Sequence, residues 1–409
     1  MVKGTVLLTL LASCVSTSVS ADVISDWNEK AVSIVTARQL PPPQAERIMA
    51  MVHVAMFDAV NAIERRYRPY LVQLPASPGA SREAAAAAAA GGVMIGLYPQ
   101  DTALSDTRAN YLSAIPNSDA KSGGISLGEA VAAKVLEARS NDGADVPDSY
   151  RPKTAPGNYV PTPLTVGSTW ANLKPFAIEN AAQFRPQPPV PLNGDKWTTD
   201  YNEIKDFGGR SSIRRSPRQT EEARFWLAPG PIIYYPVVRQ VAAANKLDPV
   251  DSARFMALIA VARSDAFVAV FDAKYYYDFW RPITAIRNGE MDENPATERE
   301  MTWQPIDNTP LHPEYPCAHC IMAGSIASVI ESVFGSADVA EVVLTSPTAP
   351  GVAHRWTNLW SMADEVSQAR IWAGFHYRFS TEVGQDMGRK IGQYVVKNIM
   401  QPAAVADAR

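Results

Sequence analysis

The run from Asp251 to Lys274 most constrains what this chain can become. Phe255 to Ala262 and Ala266 to Phe271 are almost entirely apolar. A helix that is apolar all round must be buried, so the run predicts one central helix with the rest of the chain packed around it. Asp265 and Asp272 lie seven residues apart, on one face. Buried carboxylates need partners, so cations are expected beside that face.

Other segments agree with a helical architecture. Between Ala45 and Glu64, apolar residues recur at helical spacing at Ile48, Met51, Val52, Ala55, Ala59, Ala62 and Ile63. Met49, Met56, Phe57 and Val60 fill the opposite side, so this helix is also buried nearly all round, with His53 read as a core histidine. The alanine run Ala84 to Ala90 has the highest helix propensity available and predicts a helix closed by Gly91-Gly92. Further helices are expected near 103–113, 125–139, 221–225, 237–245, 317–334 and 378–398. No period-2 alternation of useful length and no internal repeat is present, and the fold class expected is all-α, a helical bundle.

From Asp142 onward the character changes. "YRPKTAPGNYVPTPLTVG" and "FRPQPPVPLNG" are proline-rich with scattered aromatics. Proline removes a backbone donor and favours extended chain, so a long ordered loop is expected, either covering a site or wrapping the core. The division that follows is a leader over 1–21 and a single helical domain over 22–409. Within the domain, 22–141 holds N-terminal helices, 142–205 the proline-rich region and 206–400 the bundle that carries the chemistry.

The leader reading rests on Lys3, the apolar core Val6 to Ala12 and the small residues Val19-Ser20-Ala21 before a cut after Ala21. The alternative is a lipoprotein box, Leu11-Ala12-Ser13-Cys14, with Cys14 lipidated. The expected location is exported, periplasmic or secreted. No later segment reaches transmembrane length. With a net charge of −4 and no basic tract interleaved with aromatics, nucleic acid is not an expected partner. Cleavage after Ala21 leaves Cys317 and Cys320 as the remaining cysteines, in an oxidising compartment and with one possible disulfide.

Three short segments concentrate the chemistry. "KYYYDFWRP" sets Lys274 and Arg281 seven apart; "HPEYPCAHC" runs from His312 to Cys320; "ARIWAGFHYRF" sets Arg370 and His376 six apart around Gly374. Lys274, Arg281 and Arg370 together suit a tetrahedral polyanion, because charge-assisted bonds from arginine forks to paired oxygens are strong. Pro316 fits a first helical turn, which would place the amides near Cys317 and Ala318 at a helix N-terminus, a ready anion site. Zinc on His312, Cys317, His319 and Cys320 is the competing idea, with cramped spacing that Pro316 constrains further. Covalent haem attachment needs His directly after the second Cys, where Ile321 stands.

In this order the segments resemble the superfamily that joins vanadium-dependent haloperoxidases and type 2 phosphatidic acid phosphatases. Its pattern is Lys, six residues, Arg-Pro; then Pro-Ser-Gly-His; then Arg, five residues, His. The stretches "ADVISDWNEKAV", "MVHVAMFDAVNAIERRYRPY" and "TEEARFWL" are similar to its bacterial exported haloperoxidase-like branch. The resemblance implies vanadate as cofactor, hydrogen peroxide and halide as substrates, and hypohalous acid as product. It implies His376 as the axial ligand of vanadium and His319 as the acid–base group. Lys274, Arg281, Cys317, Ala318 and Arg370 would hold the oxyanion, with Lys274 also catalytic. Asp265 and Asp272 would support the arginines, and His312 would bear on halide preference. A homo-oligomer is compatible with it. The alternatives are metal-independent hydrolysis of a phosphoester, with His376 as nucleophile, and an inactive anion-binding relative. Two departures matter. Cys317 and Ala318 replace Ser and Gly, removing a hydroxyl donor. Ser380 stands where the phosphatase branch often carries an Asp that orients its nucleophile, which weakens the phosphatase reading.

Overall fold

A computed structural model describes residues 22–403 of the chain; the leader expected over 1–21, Cys14 included, lies outside the described residues. The first helices are α1 (Val23–Ala37), α2 (Pro42–Glu64), α3 (Arg82–Leu97), α4 (Thr102–Ser113) and α5 (Asp119–Arg139). Next come α6 (Asp195–Gly208), which begins within the last part of the 142–205 region, then α7 (Pro217–Phe225), α8 (Pro231–Ala244), α9 (Pro249–Tyr277), α10 (Pro282–Arg287) and α11 (Ala318–Phe334). An antiparallel hairpin, β1 (Asp338–Ser346) and β2 (Ala349–Asn358), leads into α12 (Leu359–Trp372) and α13 (Arg378–Asn398).

The fold is the helical bundle expected, and α9 is its axis. Asp248 caps it by accepting the amide of Asp251, Pro249 occupies its first turn, and every residue from Phe255 to Phe271 is buried. It packs against α2, α11 and α13. Its last turn carries Lys274 and ends at Asp278, in the left-handed region at φ 51°. Beside this axis, α3 and α5 pack backbone to backbone. A Cβ on Gly128 would lie 2.3 Å from the Ala85 carbonyl, and one on Gly124 would lie 2.4 Å from that of Ser81. Ala84 to Ala90 are wholly buried, and the helix runs through Gly91-Gly92 to Leu97 instead of stopping there.

Several elements differ from the sequence reading. The sequence reading contains no α1, α6, α10 or α12; α8 starts at Pro231 with Pro236 inside it, and the hairpin adds two strands. In β1 the buried residues Val342, Leu344 and Ser346 do alternate, but a register irregularity between Asp338 and Val342 leaves too short a run to read. His53 is a core histidine, as read. Its Nε2 lies 2.8 Å from the Asn28 side-chain amide, and burial holds it neutral, with its pKa down near 3.

The proline-rich region carries one 3-10 turn, Trp170–Asn172, and otherwise forms a strap over the end of α9. The strap supplies the partners of both α9 carboxylates, which corrects their expected role beside the site's arginines. Asp265 accepts the amides of Phe176, Ala177 and Ile178 at 2.7, 2.6 and 2.9 Å. Asp272 pairs with Arg185 through two bonds of 2.7 and 2.8 Å. The physical reason is local: an irregular strap has amides that no helix or sheet satisfies, and a buried carboxylate satisfies several at once. The same segment donates the Val166 amide to the Leu311 carbonyl (2.8 Å) and accepts the Tyr315 hydroxyl at the Gln187 carbonyl (2.7 Å). It therefore holds the loop that carries His312 and Glu314. Asp265→Asn keeps the shape but turns an N–H group toward strap amides. A loss of about 2–3 kcal/mol of unfolding free energy is expected, read by chemical denaturation; an unchanged midpoint would refute this role.

Candidate active site

Three breaks between helices converge at the end of α9. Lys274 comes from its last turn, Arg281 is the residue that precedes α10, and Arg370 comes from the last turn of α12. His376 lies in the turn between α12 and α13, and His312 to Cys317 form the loop that enters α11. Gly374 makes the tight Arg370-to-His376 turn possible: its φ is +79°, and a Cβ there would lie 2.5 Å from the Gly208 carbonyl.

The structure brings together Lys274, Arg281, His312, Ala318, His319, Arg370 and His376, but their tasks differ. Lys274 is wholly buried and donates to the carbonyls of Pro313 and Glu314 at 2.9 and 2.8 Å, so two of its three donors fix the loop. Burial first, then Arg281, pushes its ammonium well below its usual pKa. Arg281 donates to the carbonyls of His312 (2.8 Å) and Phe375 (2.9 Å), with its fork between His376 Nε2 (3.3 Å) and His312 Nδ1 (3.0 Å). Arg370 donates to the Trp226 carbonyl at 2.7 Å, while its buried Nε has no protein partner. Burial holds the Arg281 pKa down to about 10 and that of Arg370 to about 9.

The residue that sequence reasoning missed is Glu314. It is wholly buried, and its Oε1 lies 2.8 Å from His376 Nδ1 and accepts the Tyr377 amide at 3.1 Å. Arginine only donates, so Arg281 beside Nε2 makes that nitrogen the acceptor and leaves the ring proton on Nδ1, facing Glu314. His376 is thus oriented with its Nε2 lone pair toward the cations and the cavity. Burial raises the Glu314 carboxyl to about 7 against the opposing pull of Lys274 and Arg281. The Ser380 hydroxyl stands near enough to favour this carboxylate electrostatically but makes no well-formed hydrogen bond with it. An acid between Pro313 and Tyr315, two residues after His312, was the available signal; the neighbouring cysteines drew attention away from it.

Cys317 is corrected as an oxyanion contact. Its amide donates to the Ser380 carbonyl at 3.2 Å, and its sulfur is bonded to that of Cys320. That pairing also removes both sulfurs as zinc ligands. Pro316 lies one residue outside the N-cap, and α11 begins at Ala318, which lines the cavity. His319 follows, its main-chain carbonyl accepting the Tyr234 hydroxyl at 3.3 Å. The Ala228 carbonyl favours a proton on its ring, while its buried Nε2 has no protein partner.

These groups meet a cavity of about 420 Å³ whose lining includes His312, Ala318, His319, Arg370 and His376. His312, His319 and His376 are all pushed well below the usual imidazole pKa, first by burial and then by the surrounding cations, so the imidazoles are neutral at neutral pH. The donor set fits a tetrahedral oxyanion such as vanadate or phosphate. Arg370 Nε, a buried donor with no protein partner, joins an oriented imidazole and a surplus of buried positive charge, while His319 Nε2, also without a protein partner, is the acceptor nitrogen of its neutral ring.

Residues 254–404 match the VCPO second helical-bundle domain family. Through this region the chain is similar to the vanadium haloperoxidases. The vanadium chloroperoxidase of Curvularia inaequalis is 23% identical over a match that covers 52% of this chain and 46% of that protein, so the chain spans about half the length of this curated relative. The crystal structure of the first bacterial vanadium-dependent iodoperoxidase superposes with a TM-score of 0.80 at 23% identity, covering 95% of this chain and 99% of that one. An apo bacterial vanadium-dependent chloroperoxidase gives a TM-score of 0.70 at 17% identity over 88% and 94% of the two chains. These superpositions establish a shared fold.

A dianion would reverse the cationic part of the push on these imidazoles, so its binding should draw in protons. Sulfate, whose charge is fixed near neutrality, isolates the protein's share. Calorimetric titration in buffers of different ionisation enthalpy is expected to show net proton uptake, with affinity falling as pH rises. Proton release, or affinity independent of pH, would contradict this account.

Proposed function

We propose that the chain is a vanadate-dependent haloperoxidase that oxidises halide with hydrogen peroxide to hypohalous acid. The observation that carries this reading is the Glu314–His376–Arg281 arrangement, which presents a neutral, oriented Nε2 lone pair to a cationic cavity. The match of residues 254–404 to the VCPO second helical-bundle domain supports it. Bound vanadate would supply a Lewis acid that activates peroxide without changing its own oxidation state. His376 would hold it through Nε2, with Glu314 as the outer partner that fixes the tautomer. Arg281 and Arg370 balance the negative oxygens. His319, neutral before the anion arrives, takes a proton at Nε2 from the incoming peroxide and returns it later. Lys274 keeps the His312–Glu314 loop closed over the site through the two carbonyls it holds.

A second reading gains from Glu314. The missing carboxylate at Ser380 had counted against phosphoester hydrolysis with His376 as nucleophile; Glu314 occupies that orienting role from another loop. An inactive anion-binding relative remains the third reading, motivated by the hydroxyl that Cys317 lacks. Export is part of the proposal, and the Cys317–Cys320 pairing supports an oxidising compartment.

The purified protein supplied with orthovanadate, bromide and peroxide should brominate an organic acceptor, with no activity before vanadate is added. Phosphomonoester hydrolysis that vanadate inhibits would instead establish the second reading, and vanadate binding with neither activity the third. His376→Ala should abolish either activity, and Glu314→Gln should lower it by about 10–100-fold, as loss of an outer partner commonly does. Full turnover in His376→Ala would refute the site.

A further inference from the structure

The oxyanion-binding residues make up only part of the cavity lining. Val166, Leu227, Phe267, Phe271, Leu311 and Met322 line much of the remainder. These side chains come from five separate parts of the fold: the strap, the α7–α8 connection, α9, α11 and the His312 loop. The Val166 amide bonds the Leu311 carbonyl at 2.8 Å, which ties two of the walls together. Phe271 meets His312 edge-on, with ring centroids 5.3 Å apart, so the aromatic wall abuts the polar end directly.

An oxyanion alone has no use for such walls. A cavity of ~150 Å³ lined by apolar side chains already accommodates a benzene ring; about 420 Å³ leaves room for a ring beside a tetrahedral anion. Sites of ~300–1,000 Å³ that combine apolar walls with a few convergent polar groups are the usual form of a small-molecule pocket. Asp307 is exposed and also borders the cavity, which disfavours a second negative charge at the far end of the ligand.

We propose that the cavity binds an uncharged apolar organic group, about the size of one aromatic ring, seated against the oxyanion site. This deepens the reading above and rests on it. The organic group has two possible sources that share this chemistry: a separate acceptor molecule that receives the halogen beside the anion, or the leaving group of a phosphoester.

The test is calorimetric titration of the full mature chain with phenylphosphonate and methylphosphonate, which share one anionic head and differ in the apolar group. Phenylphosphonate is expected to bind at least about tenfold more tightly, because the ring leaves water for apolar walls. Leu311→Ser, at the cavity edge, should narrow that ratio, and thermal unfolding checks that the variant is folded. Equal affinities for the two phosphonates in the wild-type chain would overturn the inference while leaving the oxyanion site standing. Failure of both phosphonates together with inorganic phosphate and vanadate would overturn the oxyanion reading itself. With the ring bound, hydrolysis of phenyl phosphate identifies it as a leaving group. Vanadate-dependent bromination of phenol that phenylphosphonate competitively inhibits identifies it as a separate acceptor.

Discussion

The architecture depends on a buried excess of positive charge. Lys274, Arg281 and Arg370 are at most 1% exposed, and the acid in contact with their cluster among the described residues is Glu314, itself raised toward neutrality by burial. Taking ions out of water is costly unless they are paired and hydrogen-bonded. The chain meets that cost in part with carbonyls: those of Trp226, His312, Pro313, Glu314 and Phe375 all accept from the three cations. Carbonyl dipoles orient the cations without cancelling their charge. The remaining imbalance favours an anion, and it adds to burial in holding the three imidazoles neutral.

The scaffold keeps that imbalance in place. The cations stand at helix breaks, where backbone carbonyls are not consumed by helical bonding. α9 is rigid because it is apolar on every side, and the strap locks its end through Asp265 and Asp272. These two carboxylates stabilise the site at one remove, by holding the segment that holds the His312–Glu314 loop. Glu314 then links the loop to His376, so the two segments that flank the cavity cannot shift independently without breaking a buried contact.

Much of this was legible in advance. The uniform apolarity of Phe255–Phe271 required a buried axis, and the resemblance carried by the Lys274–Arg281, His319 and Arg370–His376 segments pointed to the members of the cluster. Other features were not readable for specific reasons. Uniform apolarity revealed α9, but α12, whose burial is shared among several neighbours, carries no such signal. Alternation in β1 lasts only from Val342 to Ser346. Asp265 and Asp272 lie on the predicted face, yet their partners are strap amides and Arg185, more than eighty residues away in sequence. The cysteines looked like part of the anion cradle, but the Cys317 amide is taken by Ser380.

The sequence by itself determined a helical bundle around one apolar axis and a set of cations and histidines matched to a tetrahedral anion, because burial and charge are properties that residue types carry with them. Tertiary structure alone decided how those groups are wired. It placed Glu314 against His376, gave Lys274 the task of holding a loop, and set apolar walls beside the charged end of the cavity. Hydrogen bonds between distant segments depend on where the backbone turns, and no local spacing encodes that.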